Sequence, residues 1–203
     1  MTGNMKHLNT NLSNYNIILG SKSPRRKSIL DKIGLKFTIQ KIEFDEKADL
    51  SKSIEEVACS ISKLKSEAFI NLNKQDILIC ADTVVSVENE IFGKPKSKED
   101  AFKMLEKLSG KTHKVTTACT IKSINKSITF HDTTFVSFKK LNKEEINYYI
   151  EKYNPLDKAG AYAIQEWIGL IGINKIEGSY FNVVGLPSSK LYYELIKFVN
   201  EKD

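Results

Sequence analysis

The chain has 203 residues, of which 41% are hydrophobic, and this length and composition suit one folded domain. It carries 31 Lys and Arg against 25 Asp and Glu, so we expect a basic surface that favours anionic ligands. No apolar stretch approaches the roughly 20 residues that span a bilayer, and the three cysteines lack the spacing of a zinc site or a disulfide framework. The composition therefore indicates a cytoplasmic protein with reduced thiols and without a membrane segment.

The sequence predicts a short tail followed by one domain. Residues 1–14 are rich in Asn and Thr and poor in apolar residues, which predicts a flexible N-terminal tail without a signal peptide. Residues 15–203 contain neither an internal repeat nor a linker. The elements predicted in chain order are a strand at 16–19, a helix ending at Gly34, a strand at 36–42, a helix at 53–71, a strand at 77–81, a hairpin of 84–87 with 90–92, a helix ending at Gly110, strands at 115–124 and 127–138, a helix from Asn142 and a last helix after Pro187. Strands alternating with helices, with hairpins in the middle, favour an α/β architecture with a mixed sheet.

The segment SKSPRR, residues 21–26, places cations where a helix disfavours them. Ser23 suits an N-cap and Pro24 suits the first helical position, so Arg25 and Arg26 fall in the first turn, at the positive end of the helix dipole. A bound polyanion would reverse the sign of that interaction, which indicates a phosphate-binding loop. A solvated basic turn is an equally good interpretation of this segment taken alone.

A second candidate site residue is Asp82, which follows the apolar run 77–81. A carboxylate at the end of a buried strand lies where ligands bind in open α/β sheets, although a turn-forming Asp is the commoner explanation. Two further cations, Lys65 on the second predicted helix and Lys94 between glycine and proline in GKP, are candidates to join it. Each of these lysines alone would be interpreted as a surface residue.

Several enzyme classes lack their usual signatures in this chain. We find no G-x-x-x-x-G-K-[ST], no G-x-G-x-x-G and no H-E-x-x-H, and no G-x-S-x-G elbow. The three histidines show no metal-ligand spacing, and His113 is expected to form local contacts. These absences argue against P-loop, dinucleotide-binding, zincin and serine-hydrolase chemistry.

Five blocks of sequence resemble one known family, the Maf family, in their order and spacing from about residue 16 onward. The blocks are SKSPRR at 21–26, ADTVV at 81–85, FGKPKSKEDAFKMLEKLSGKTHKV at 92–115, PLDKAGAYAIQ at 155–165 and GSYFNVVGLP at 178–187. The resemblance implies an α/β fold in which an elongated mixed β-sheet is flanked by helices and two lobes surround a cleft, as in the inosine triphosphatase group. It also implies a pyrophosphatase that uses a divalent cation, Mg²⁺ or Mn²⁺, to cut a nucleoside triphosphate into its monophosphate and pyrophosphate.

The resemblance also assigns roles to individual residues. Asp82 corresponds to the proton acceptor, and whether it is base, metal ligand or both stays open. Glu46, in the acidic stretch after the second strand, is a candidate second ligand because oxygen ligands suit hard cations. The residues expected to bind the phosphates are Ser21, Ser23, Arg25, Arg26, Lys65 and Lys94.

Specificity in the family is associated with residues that correspond here to Arg25, Thr83 and Gln165. The tract DKAGAYAIQ resembles the branch that acts on dTTP and UTP, and a glutamine amide can pair with O4 and N3–H of thymine or uracil. Ala163 and Glu166 stand where the family usually has glycine, and Glu166 brings a negative charge near the expected base pocket. The alternative specificity is that of the branch acting on 7-methyl-GTP.

Two rival functions of different classes remain at this point. One is a nucleotide-sensing protein linked to cell division, which would bind without turnover, and the other is a basic RNA-binding module. A carboxylate such as Asp82 weakens plain polyanion binding unless a metal neutralises it, which favours the enzyme. The expected partner is therefore a nucleoside triphosphate, with no nucleic acid and no membrane, and a homodimer is one assembly that the resemblance allows.

Overall fold

A seven-stranded mixed β-sheet organises the chain in the computed structural model, which describes residues 12–44, 49, 52–88 and 90–201. The strands are β1 (Asn16–Leu19), β2 (Phe37–Ile39), β3 (Asp76–Val87), β4 (Glu90–Phe92), β5 (Thr112–Lys122), β6 (Ser127–Phe138) and β7 (Ile173–Glu177). The helices are α1 (Pro24–Ile33), α2 (Ile54–Glu67), α3 (Lys98–Leu108), α4 (Lys143–Tyr153), α5 (Trp167–Gly172), α6 (Tyr180–Val184) and α7 (Ser188–Asn200). Two short 3₁₀ helices, Pro155–Asp157 and Ala159–Ala161, follow α4.

The strands lie in the order β2-β1-β3-β5-β6-β7, and β4 pairs with β3. β1 pairs in parallel with both β2 and β3, whereas the pairs β3–β5, β5–β6 and β6–β7 are antiparallel. The α/β architecture with a mixed sheet is thus confirmed. The parallel region is buried on both faces because helices cover it, which explains the continuous apolar run at the start of β3.

The predicted end of the third strand at Asp82 is wrong. β3 continues through this residue to Val87, because its backbone stays paired with β5, where Asp82 lies opposite Ala118 and Thr83 opposite Thr117. The polar pair interrupts the apolar pattern without ending the strand. The hairpin predicted after it is confirmed, since β4 pairs with residues 85–87 of β3.

Other boundaries differ by a few residues from those predicted. The second strand is shorter, at Phe37–Ile39, and α2 ends at Glu67 rather than at 71. The Lys122 ammonium donates to the carbonyl of Ser66 at 3.0 Å, so a contact from β5 occupies the end of this helix. That contact comes from a distant part of the chain and is not visible in the local sequence.

Two apolar clusters on either side of the middle of β3 form what we call the β1 lobe and the β4 lobe. The β1 lobe unites β1, α1, α7 and the first half of β3, including Ile77 and Ile79. The β4 lobe unites β4, α3, α4 and the second half of β3, including Val85 and Val87. Because one strand contributes to both clusters, the lobes are joined at the position of Asp82.

Part of the predicted N-terminal tail packs against the domain. Leu12, within the stretch 1–14, is buried in the β1 lobe, and residues 1–11 lie outside the described part of the chain. Among the helices that the structure describes, none combines the length and apolar character needed to cross a bilayer.

Helix α6 is attached to the sheet by one buried amide. Asn182 is fully buried, and its Nδ2 donates to the carbonyl of Val115 at 2.9 Å and to the Thr134 hydroxyl at 3.0 Å. The Thr117 hydroxyl donates to the Asn182 carbonyl at 2.9 Å. A single side chain therefore ties α6 to both β5 and β6, next to the turn at Gly185.

We expect Asn182→Ala to destabilise the fold by about 2 kcal/mol, because two buried acceptors lose their donor. The measurement is the urea midpoint of unfolding followed by circular dichroism. The matched control is Asn174→Ala on the exposed edge strand β7, which should change stability by less than about 0.5 kcal/mol. Equal midpoints for the two variants would contradict the role of Asn182.

Candidate active site

A cavity of about 350 Å³ opens between the β1 lobe and the β4 lobe. Every predicted site residue that the structure describes lines it, although these residues come from segments far apart in the sequence. They are Ser21, Ser23, Arg25, Arg26, Lys65, Asp82, Thr83, Lys94 and Gln165. Glu46, the predicted second metal ligand, lies outside the described residues, so its placement stays a prediction.

The start of α1 forms as its sequence predicts. Ser23 is the N-cap and accepts a hydrogen bond from the Arg26 backbone N–H at 3.4 Å, and Pro24 occupies the first turn. The Ser21 hydroxyl accepts from the backbone N–H of Ser23 at 3.1 Å. These bonds fix the loop, so the cations of the first turn are held at the cavity wall at the helix N-terminus.

Arg26 joins three segments around the cavity. Its Nε donates to the carbonyl of Gly185 at 2.8 Å, one Nη donates to the Thr83 hydroxyl at 3.0 Å, and the other donates to the Ser21 hydroxyl at 3.5 Å. Burial lowers the pKa of the guanidinium, and the negative charge of Asp82 opposes that shift. Arg26 therefore braces the site in addition to adding positive charge to it.

Asp82 lies half-buried among cations in the middle of β3. Burial lowers the pKa of Lys65, the charges of Arg26 and Lys94 lower it further, and Asp82 opposes the shift. The Lys65 ammonium lies 5.9 Å from the centre of the Phe44 ring. Lys65, Lys94 and Asp82 thus line the same cavity.

Arg25 is held across the cleft by a residue that the sequence analysis did not identify. Its Nη1 lies 3.0 Å from Oδ2 of Asp157, which belongs to the 3₁₀ helix after α4. Burial acts to raise the pKa of Asp157, but hydrogen bonds from Lys158 and Arg25 outweigh it and hold that pKa below its usual range. The ion pair joins the β1 lobe to the β4 lobe at the cavity.

Three further cations of the cavity, Lys22, Lys41 and Lys158, were not identified from the sequence. The pKa of Lys41 lies below its usual value, first because the charge of Lys22 is close. No local signal marks these residues in a chain with lysines throughout. Among the described lining residues the cations are Lys22, Arg25, Arg26, Lys41, Lys65, Lys94 and Lys158, and the carboxylates are Asp82 and Asp157.

Part of the cavity is lined by uncharged side chains. Tyr162, Val183 and Val184 line it, together with Gln165, whose side chain is exposed. Tyr162 is held from behind by buried His113, whose Nε2 lies 2.7 Å from the tyrosine hydroxyl. Burial lowers the pKa of His113 to about 4, so this histidine is neutral and forms local contacts, as predicted. An apolar surface beside one amide suits a nucleobase.

The side chains of the cavity favour a metal ion that binds together with the phosphates of a substrate. Within the described ranges, no group of three or more His, Cys, Asp or Glu side chains could hold a metal ion. Mg²⁺ characteristically uses one or two carboxylates and completes its shell with water and substrate phosphates. Asp82, in a cavity whose remaining charges attract phosphate, fits this mode of binding.

Comparison with known proteins agrees with this geometry. The family model described as "Maf-like protein" matches residues 16–198. A protein of Flavobacterium psychrophilum named dTTP/UTP pyrophosphatase is 45% identical over 93% of this chain and 97% of its own length. This chain is also similar to two further proteins of the same name. The one from Phocaeicola vulgatus is 44% identical over 92% of this chain and 98% of its own length, and the one from Christiangramia forsetii is 46% identical over 93% of this chain and 97% of its own length. The chain belongs to the Maf family.

Proposed function

We propose that this protein hydrolyses dTTP and UTP to the monophosphate and pyrophosphate. The observation that carries the proposal is the carboxylate of Asp82 in a cavity of about 350 Å³, whose described lining holds seven cationic side chains and one further carboxylate, Asp157, which is paired with Arg25. A bound polyanion would neutralise positive charges that repel one another in the cavity. The carboxylate can accept a proton when that polyanion is hydrolysed. The names of the similar proteins support the same reaction and the same two nucleotides.

The cations provide a surface for the triphosphate. Arg25 and Arg26 lie at the start of α1, where guanidinium groups and the helix dipole attract the same anion. Lys65 and Lys94 approach from α2 and from the loop after β4. In the reaction these groups bind the β- and γ-phosphates and stabilise the charge that develops on departing pyrophosphate. The hydroxyls of Ser21 and Ser23 add hydrogen bonds in this proposal.

In this proposal Asp82 acts on the attacking water. Its carboxylate accepts a proton from a water that attacks the α-phosphorus, and a positioned base contributes about 10²- to 10⁴-fold to such a step. When a divalent cation such as Mg²⁺ or Mn²⁺ is bound, it supplies charge neutralisation on the phosphate oxygens. Asp82 would hold that cation, with Glu46 proposed as its second ligand.

In this proposal the base contacts the uncharged side chains of the cavity lining. Gln165 donates to O4 and accepts from N3–H of uracil or thymine, and neither group is present in that arrangement on cytosine. Thr83, one residue after Asp82, bonds the Arg26 guanidinium and the Thr117 hydroxyl, so it ties Arg26 to β3 and β5. The preference for dTTP and UTP follows from this placement of the amide.

Replacing the carboxylate tests the mechanism. We expect Asp82→Asn to lower kcat by about 10²- to 10⁴-fold, because the amide cannot accept the proton, while the circular dichroism spectrum stays unchanged. Turnover is measured by pyrophosphate release from dTTP. The control is Asp31→Asn, an exposed carboxylate of α1 paired with Lys27, which should leave kcat unchanged. Near-normal turnover by Asp82→Asn would contradict the assignment.

Removal of divalent cations tests the reaction class. EDTA should abolish pyrophosphate release, and added Mg²⁺ or Mn²⁺ should restore it, because charge neutralisation on the phosphates requires the cation. Products are separated by anion-exchange chromatography. Orthophosphate and nucleoside diphosphate would refute attack at the α-phosphorus. Binding of nucleotides without any turnover would instead favour a nucleotide sensor.

The ion pair of Arg25 with Asp157 predicts a substitution that improves substrate binding. Asp157→Asn should lower KM for dTTP about two- to fivefold. In the wild-type protein Arg25 must give up its ion pair with Asp157 before it binds the substrate, and the substitution removes both that ion pair and a negative charge from the cavity. Steady-state kinetics at low salt measure the change. The control, Glu151→Gln, removes the partner of Lys98 on the surface. A raised or unchanged KM in Asp157→Asn would show that Arg25 does not bind the triphosphate.

A further inference from the structure

Glu166 stands directly before α5 and does not cap it. Its carboxylate forms no hydrogen bond with the N-terminus of that helix, although a carboxylate there is normally favoured. Instead it accepts a hydrogen bond from the hydroxyl of Tyr149 on α4 and lies 3.5 Å from the ammonium of Lys158. The negative charge expected near the base pocket is therefore balanced by a buried lysine.

Tyr149 holds the same turn at a second point. It is fully buried, and its hydroxyl accepts from the backbone N–H of Ala163 at 3.1 Å while it donates to Glu166. Burial raises the pKa of Tyr149 far above its usual range, and the hydrogen bond to Glu166 adds to this. The phenol stays protonated, so it acts as a donor and an acceptor at once.

The turn of residues 163–166 is closed by further backbone contacts. The Glu166 N–H donates to the Ala163 carbonyl at 3.0 Å. Gly169 passes so close to the turn that an added Cβ would lie 1.9 Å from the Ile164 carbonyl oxygen. Gln165, which lines the cavity, is thus exposed on a turn that is fixed on both sides.

We infer that Tyr149 and Glu166 are positioning residues for base selection, which hold the turn so that Gln165 meets a pyrimidine bearing a carbonyl at C4. Neither side chain is among the residues that line the cavity, so both act through the turn. Selection against a 4-amino pyrimidine requires the amide to approach the base in one orientation. A loosened turn lets the same amide adapt to either edge, because glutamine carries both a donor and an acceptor. This inference rests on the proposed function.

The test compares kcat/KM for dTTP and for dCTP in the full-length protein. Tyr149→Phe should reduce the dTTP-over-dCTP ratio about tenfold, mainly through a higher KM for dTTP, with kcat changed less than about twofold. Glu166→Gln keeps an acceptor for Tyr149 but removes the negative charge that faces Lys158, so it should reduce the ratio by a smaller factor. The matched control is Tyr153→Phe, which removes a hydroxyl from the ring stacked on Tyr149 at 5.1 Å and should leave the ratio unchanged.

The outcomes separate this inference from the proposed function. If both variants lower kcat/KM for the two nucleotides by the same factor, or lower only the melting temperature, the inference is overturned while the proposed function stands. A wild-type protein that hydrolyses dTTP and dCTP equally well also overturns it, since no selectivity exists to be positioned. A wild-type protein that neither binds nor hydrolyses dTTP overturns both.

Discussion

The pairing of β3 is the constraint on which the site depends. On one edge this strand pairs with β5 over residues 78–86, whereas on the other edge it pairs with β1 up to residue 79 and with β4 from residue 85. Between these two pairings, residues 80–84 have no partner strand on that edge among the described strands. Asp82 lies in this gap, and the cavity opens there because β1 turns into α1 while β4 belongs to the other lobe.

An opening in the middle of a sheet needs other contacts to hold its sides together. Arg26 provides them by donating from the α1 segment to Thr83 on β3 and to the Gly185 carbonyl beside α6. Buried guanidinium groups are costly unless their donors are satisfied, and here each donating nitrogen finds a neutral oxygen. Its charge is therefore still available to attract an anion. Burial and then repulsion from Arg26 and Lys94 lower the pKa of Lys65, and a bound polyanion would relieve that repulsion.

The sequence predicts those features that are encoded locally. Ser23 and Pro24 start α1 through bonds within a few residues, so both the helix and its basic first turn could be predicted. The continuation of β3 through Asp82 could not, because pairing with β5 outweighs the local polarity. The partner of Arg25 is 132 residues away, and nothing in the sequence around Asp157 distinguishes a carboxylate that crosses the cleft from one on the surface.

A series of contacts between charged groups runs from Arg25 to the turn that carries Gln165. Asp157 accepts from Arg25 at 3.0 Å and, through its other oxygen, from Lys158 at 2.7 Å. Lys158 in turn lies 3.5 Å from Glu166, which holds the turn carrying Gln165. A substrate phosphate that draws Arg25 away leaves Asp157 to Lys158 alone, and Lys158 is also the counter-charge of Glu166. Groups that share partners in this way do not contribute independently, so we expect substitutions at Asp157, Lys158 and Glu166 to have non-additive effects.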